Sequence, residues 1–165
     1  MTSTRQGTRP VKSNRPVIRV RLQFRCGGIE RSRRWEEQDQ RLPKQRLVYV
    51  VDDDPSMLRG VKRLLREYGY ESVLFSTADA FQRHNDFDSA VCVILDIDLN
   101  DTSGIDVRRR LTAAGISLPV IFITGKDSPS TRMAALASGC LAYLTKPFSA
   151  GSLIGPIERV TTGVA

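Results

Sequence analysis

The sequence predicts an α/β domain with a doubly wound, five-stranded parallel sheet covered by five helices. Three observations carry this. Five short apolar runs recur between Leu47 and Leu144, stretches with helical spacing of apolar residues follow them, and glycines stand where those stretches should stop. Apolar runs suit strands buried on both faces, and alternation of strand with helix implies parallel crossover units.

The first run, LVYVV (47–51), ends directly on Asp52, Asp53 and Asp54. Asp54 precedes Pro55 and then a stripe of Leu58, Val61, Leu65 and Tyr68, the N-cap and Pro-at-N1 signature of a first helix. Gly69 is placed to end that helix as a C-terminal cap. SVLF (72–75) is the second run, followed by a short surface helix ending near His84, the only histidine, which is read as solvated. AVCVIL (90–95) is the third and leads into Asp96. Val107, Leu111 and Ala114 share one face of the next helix, closed by Gly115. PVIFIT (119–124) ends in Thr124, and the helix after it is closed by Gly139. LAYL (141–144) leads to Lys146, and Leu153, Ile157, Val160 and Val164 repeat the helical spacing to the end.

An open parallel sheet binds its ligands in the crevice beyond the carboxyl ends of its strands. The polar residues at those ends are Asp52, Asp53, Asp96, Thr124 and Lys146, which should therefore converge. Neighbouring carboxylates repel unless a cation compensates them. Three together make a hard oxygen site suited to Mg²⁺. Asp52 and Asp53 are assigned to the metal and Asp54 to the helix start. Asp96, between metal and lysine, is placed to attack phosphorus and form an aspartyl phosphate. Mg²⁺ and the Lys146 ammonium would neutralise the phosphoryl oxygens, and the Thr124 hydroxyl can donate to one of them.

VYVVDDDPSMLRGVKRLL, VILDIDLNDTSGIDV, VIFITG and AYLTKPF together resemble the four sequence blocks of bacterial response-regulator receiver domains, nearest the FixJ-type subfamily. The resemblance covers about residues 46 to 163 and implies a flavodoxin-like receiver fold. It makes Asp96 the phosphoacceptor for the histidine of a sensor kinase, and Asp52 and Asp53 the acidic metal pair. The backbone carbonyl of Asp98 would complete the Mg²⁺ shell. Thr124 is then the switch hydroxyl, Lys146 the phosphate-contacting lysine, Tyr143 the aromatic switch residue, and Lys146–Pro147 a cis bond. It further implies a switch first and an enzyme only marginally, catalysing its own phosphorylation and slow hydrolysis. Its state would be read at the helix 4–strand 5–helix 5 face, around Ala134, Ala135 and Ala142, by a second copy or a downstream protein. The loop after Asp96 departs from the family, with Leu99–Asn100 where Met–Pro is usual, while Gly104 keeps its family position.

Charge divides the chain. Residues 1–46 hold thirteen Lys/Arg against four acids, and residues 47–165 hold twelve against fourteen. Residues 1–46 read as a basic, disordered extension, whose acid-free start (residues 1–29) is also similar in composition to an organelle transit peptide, and residues 47–165 as the domain. Nucleic-acid binding is not expected, with the basic N-terminal arm kept only as a weak alternative, because acids interrupt its one dense basic cluster, RSRRW (31–35). No apolar stretch reaches membrane-spanning length, and Cys26, Cys92 and Cys140 form no CxxC, so a reduced cytoplasmic compartment is expected. The sequence stops at Ala165, after the fifth helix, so no output module is expected within it.

Two rival chemistries fail on spacing. ITGKDS (123–128) lacks the upstream glycine and the hydroxyl after lysine that a phosphate-binding P-loop needs. LDIDLNDT is similar to the nucleophile motif of haloacid-dehalogenase-type phosphatases, but their acidic metal pair follows the lysine, whereas here it comes first.

Overall fold

The computed structural model describes residues Arg46–Gly163. The expected disordered extension lies, apart from Arg46, outside the described residues. Five strands alternate with five helices: β1 (Leu47–Val51), α1 (Pro55–Glu67), β2 (Glu71–Phe75), α2 (Ala78–Gln82), β3 (Ala90–Asp96), α3 (Gly104–Ala113), β4 (Val120–Thr124), α4 (Pro129–Ala137), β5 (Ala142–Thr145) and α5 (Ala150–Thr162). All neighbouring strands pair in parallel, in the order β2-β1-β3-β4-β5. This is the doubly wound α/β arrangement that the alternation of runs predicts.

Side-chain alternation along each strand divides the core into two layers. Tyr49, Val51, Val93, Leu95 and Phe122 face one side, where Phe81 of α2, Val107 and Leu111 of α3 and Ala135 of α4 cover them. Val48, Val50, Ile94, Ile121 and Ile123 face the other, against Leu58 and Leu65 of α1 and Leu153 and Ile157 of α5. The chain reverses its winding between β1 and β3, and that switch point opens the crevice where the carboxylates at their ends meet.

Local chemistry fixes the element ends. The Asp54 carboxylate accepts the Ser56 amide at 2.8 Å with Pro55 opening α1, so the third aspartate of the run is a cap. Ser103, Ser128 and Ser149 cap α3, α4 and α5 in the same way. Gly69, Gly115 and Gly139 adopt the left-handed φ of 76°, 74° and 72° that glycine tolerates without steric cost.

Three expectations about packing need correction. Tyr68 and Ala114 lie at the C-caps of α1 and α3, where the chain leaves the helix, and both are exposed rather than part of the buried stripe. His84 is half-buried instead of solvated. Its ring packs edge-on against Tyr49, Phe75 and Phe87, and Nε2 lies 3.0 Å from the Tyr49 hydroxyl, which donates to the Asp86 carbonyl. α2 has only five residues, so the chain turns inward before His84 and carries it under the aromatic cluster. Ala135 is fully buried and cannot serve a contact surface. The large exposed apolar side chains of α4 are Met133 at 71% and Leu136 at 59% exposure.

Candidate functional site

Each functional side chain stands at or just past the carboxyl end of a strand. Asp52 follows β1 and is buried; its amide continues the ladder to the Phe75 carbonyl at 3.1 Å, and its Oδ1 accepts the Asp54 amide at 2.8 Å. Asp53 is half-buried beside it. Asp96 ends β3 and is also buried. Lys146 follows β5, held by its amide to the Thr124 carbonyl at 2.8 Å and by a cis peptide to Pro147. From there its ammonium bridges Asp96 Oδ2 at 2.6 Å and Asp52 Oδ2 at 2.8 Å.

One carboxylate oxygen from each of Asp52, Asp53 and Asp96 lies within 4.8 Å of the other two. Three carboxylates against the single Lys146 ammonium leave two negative charges, which one divalent cation balances. The donors are all hard oxygens, the set that Mg²⁺ or Ca²⁺ takes and that soft metals do not select. The residues therefore fit a hard divalent metal. Burial pushes the Asp52 carboxyl up from the ordinary carboxylate range, opposed by hydrogen bonds from Lys146 and the Asp54 amide. For Lys146, burial alone would lower the ammonium, but the bonds to Asp52 and Asp96 outweigh it and hold it charged above its ordinary value.

The loop after β3 folds back on the site. Asp96 Oδ1 accepts the Asp98 amide at 3.1 Å, Ile97 bonds to Ile123 at 2.9 Å, and Asp98 pairs with Ser103 in an antiparallel bridge. Gly104 donates its amide to the Ile97 carbonyl at 3.0 Å and sits so close to β3 that a Cβ would lie 2.2 Å from the Asp96 carbonyl oxygen. Glycine at this position is thus a requirement of backbone approach.

Thr124, buried at the end of β4, does not face Asp96. Its hydroxyl donates to Asp98 Oδ2 at 2.8 Å, lies 3.1 Å from the Lys126 carbonyl, and accepts the Lys126 amide at 2.9 Å. Tyr143, in β5, points outward. Its hydroxyl donates to Asp127 Oδ1 at 2.8 Å, Arg132 donates to Asp127 Oδ2 at 2.7 Å, and the same guanidinium stands 4.8 Å over the Tyr143 ring. Partial burial and the Asp127 carboxylate push the Tyr143 phenol up to about 12, while Arg132 and Tyr143 hold Asp127 below the ordinary carboxylate range. Asp127 and Arg132 escape a sequence reading, since an Asp and an Arg five residues apart across a helix start look like ordinary surface charge.

Residues 48–158 match the response regulator receiver domain family, and the chain belongs to it. It is similar to the response regulator protein TmoT of Ectopseudomonas mendocina, 35% identical over 112 residues that make up 68% of this chain and 51% of that protein. Nodulation protein W of Bradyrhizobium diazoefficiens is 34% identical over 115 residues, 70% of this chain and 51% of that one. The chain thus spans about half the length of these curated relatives. Among solved structures, a response regulator receiver protein from Burkholderia phymatum is 40% identical with a TM-score of 0.59, covering 72% of this chain and 96% of that one. The response regulator StyR is 33% identical with a TM-score of 0.65, covering 70% and 59%. Receiver domains of this family act in two-component signalling.

Proposed function

We propose that the chain is a phosphorylatable receiver, nearest the FixJ-type subfamily, that takes a phosphoryl group onto Asp96 from the phosphohistidine of a sensor kinase. The observation that carries this is the meeting of Asp52, Asp53 and Asp96 around one ammonium at the switch point of the sheet. Asp52, Asp53, Asp96 and the Asp98 carbonyl would hold Mg²⁺, whose charge would offset that of the transferred phosphoryl oxygens.

Asp96 would attack through a carboxylate oxygen, a nucleophile that needs no general base to activate it, with the Lys146 ammonium 2.6 Å away. One of its oxygens forms the new O–P bond while the P–N bond to the kinase imidazole breaks, and the departing nitrogen takes a proton. Lys146 neutralises charge on the incoming group from its place beside Asp96 Oδ2. Thr124 donates to a phosphoryl oxygen only after releasing the Asp98 carboxylate. That movement pulls on Lys126, one residue from the Asp127 that tethers Tyr143. Phosphorylation would therefore free Tyr143 to turn inward and would change the α4–β5–α5 face, where Met133 and Leu136 offer apolar contacts to a second copy or a downstream protein. Hydrolysis of the aspartyl phosphate would be slow, making the protein a switch rather than a turnover enzyme.

Among the described residues no helix is long and apolar enough to cross a membrane. A receiver served by a sensor kinase would work in the cytoplasm. The metal reading is tested by Mg²⁺ titration followed through amide chemical shifts. Saturable shifts at Asp52, Asp53 and Asp96, lost in Asp53→Ala, are expected. The same titration curve in that variant would take Asp53 out of the metal shell.

A further inference from the structure

The loop between β3 and α3 carries Asp98, whose carbonyl the receiver reading gives to the metal. Its two ends are tied into the sheet and to each other by the bonds of Ile97, Asp98 and Gly104, and Leu99 is buried in the core. Its tip, residues 100–102, is fastened differently. The Asp101 carboxylate reaches across to the start of α2, where Oδ1 accepts the Ala78 amide at 3.4 Å and Oδ2 accepts the Asp79 amide at 3.2 Å.

We propose that Asp101 is a positioning residue for the metal site: by clamping the loop tip to the first turn of α2 it holds the Asp98 carbonyl where the cation needs it. This rests on the receiver reading above. The first amides of a helix have no partner within the helix and must find one elsewhere. Thr77 serves one of them, accepting the Ala80 amide at 3.1 Å, and Asp101 serves two more from twenty-two and twenty-three residues away. At 3.4 and 3.2 Å both bonds are long, so the carboxylate holds the loop tip by direction more than by strength. Its two oxygens on two consecutive amides define a direction as well as a distance. The clamp also supplies stiffness to a loop that has Asn100, with its free φ, at a position where a proline is usual in the family it resembles. Asp101 is exposed, and among the described residues its side chain hydrogen-bonds only to the Ala78 and Asp79 amides, so its influence passes through Leu99 and Asn100, the two residues between it and Asp98.

The test uses the full chain with Mg²⁺ alone as probe, read by amide chemical shifts, together with hydrogen exchange at Ala78, Asp79 and residues 97–103. Asp101→Ala should speed exchange at those amides and weaken Mg²⁺ binding about threefold to tenfold, the range that one or two modest hydrogen bonds can move. Asp101→Asn keeps one acceptor oxygen and should fall between that variant and the parent. Thr77→Ala removes a cap of α2 without touching the loop, and should leave Mg²⁺ binding at the parent's level. Parental Mg²⁺ affinity in Asp101→Ala would reduce Asp101 to a helix cap and overturn the proposal. Equal weakening in Thr77→Ala would also overturn it, because the effect would then run through α2 and not the loop. A parent that binds no Mg²⁺ at all would overturn the metal reading itself and this proposal with it, an outcome told apart by the parent's own titration.

Discussion

Replacing Gly104 by alanine sets two effects of known size against each other at the edge of the site. Alanine is the better helix former, worth up to about 1 kcal/mol over glycine within a helix, though less at the first position, where Gly104 stands. Against this, its Cβ would meet the Asp96 carbonyl oxygen at 2.2 Å, the Asp96 carbonyl carbon at 3.0 Å and Leu95 Cγ at 3.1 Å. Even a close C–H···O contact needs about 3.3–3.6 Å, so the overlap is on the order of 1 Å. The obstacle is backbone at the end of a central strand, and the adjoining Ile97 is bonded both to Ile123 and to Gly104, so it cannot swing away. Forced repacking of this kind costs about 1–3 kcal/mol, which exceeds the propensity gain. Gly104→Ala should therefore lower stability by about 1–2 kcal/mol and, by displacing Asp96, weaken Mg²⁺ binding as well. Gly60, in the exposed middle of α1, supplies the control, because a Cβ there meets nothing within 4 Å. Gly60→Ala should stabilise by about 0.5–1 kcal/mol. Urea unfolding followed by circular dichroism measures both. A Gly104→Ala midpoint at or above the parent's, or a Gly60→Ala midpoint that falls as far, would refute the close approach of α3 to Asp96.

Three further outcomes follow from named contacts. Arg132→Ala removes the partner of Asp127 and the cation over Tyr143, which are exposed and so contribute little to stability, but it should shift the Tyr143 ring resonances towards those of the phosphorylated protein. Unchanged ring resonances would mean that the pair does not hold the tyrosine. The Tyr143 phenol, pushed up to about 12, should ionise later than an ordinary tyrosine near about 10 in a difference titration of the parent against Tyr143→Phe. Because the folded state holds that proton more tightly, the associated stability is present below pH ~10 and lost as pH rises from there through about 12; ionisation near 10 would contradict the bond to Asp127. Cys92, buried in β3 with its thiol pushed up to about 12, should resist iodoacetamide in the folded protein, while half-buried Cys140 reacts slowly; rapid native labelling of Cys92 would place β3 elsewhere.

The fold was legible because its signals are local. A strand buried on both faces must be apolar along its length, as VIFIT is, and a helix start leaves a mark such as Asp54–Pro55. Convergence of the strand-end residues was legible too, since a parallel sheet brings every carboxyl end to one edge. Side-chain direction was not. Thr124 stands at the expected strand end, yet its hydroxyl turns to Asp98, a choice made by the loop geometry between β3 and β4. The Asp127–Arg132–Tyr143 cluster and the reach of Asp101 to α2 are likewise contacts between elements, which no periodicity encodes. His84 shows the same limit, because the turn after the five-residue α2 brings a histidine read as solvated, half-buried, against the rings of Tyr49, Phe75 and Phe87. Of the three alanines read into the contact face, Ala135 lies inside while Ala134 and Ala142 are half-buried, and the large exposed apolar side chains of α4 are Met133 and Leu136.

The most direct test is intact-mass measurement after incubation with a small phosphodonor such as acetyl phosphate and Mg²⁺. The parent should gain the mass of one phosphoryl group, in a form labile to hydroxylamine as an acyl phosphate is. Chelation of the metal should suppress the gain, and Asp96→Asn, which keeps the size of the side chain but not its ionised oxygen, should show none while remaining folded. Stoichiometric phosphorylation of folded Asp96→Asn, or a parent that stays unmodified with donor and Mg²⁺ in excess, would contradict the assignment of Asp96 as the phosphoacceptor.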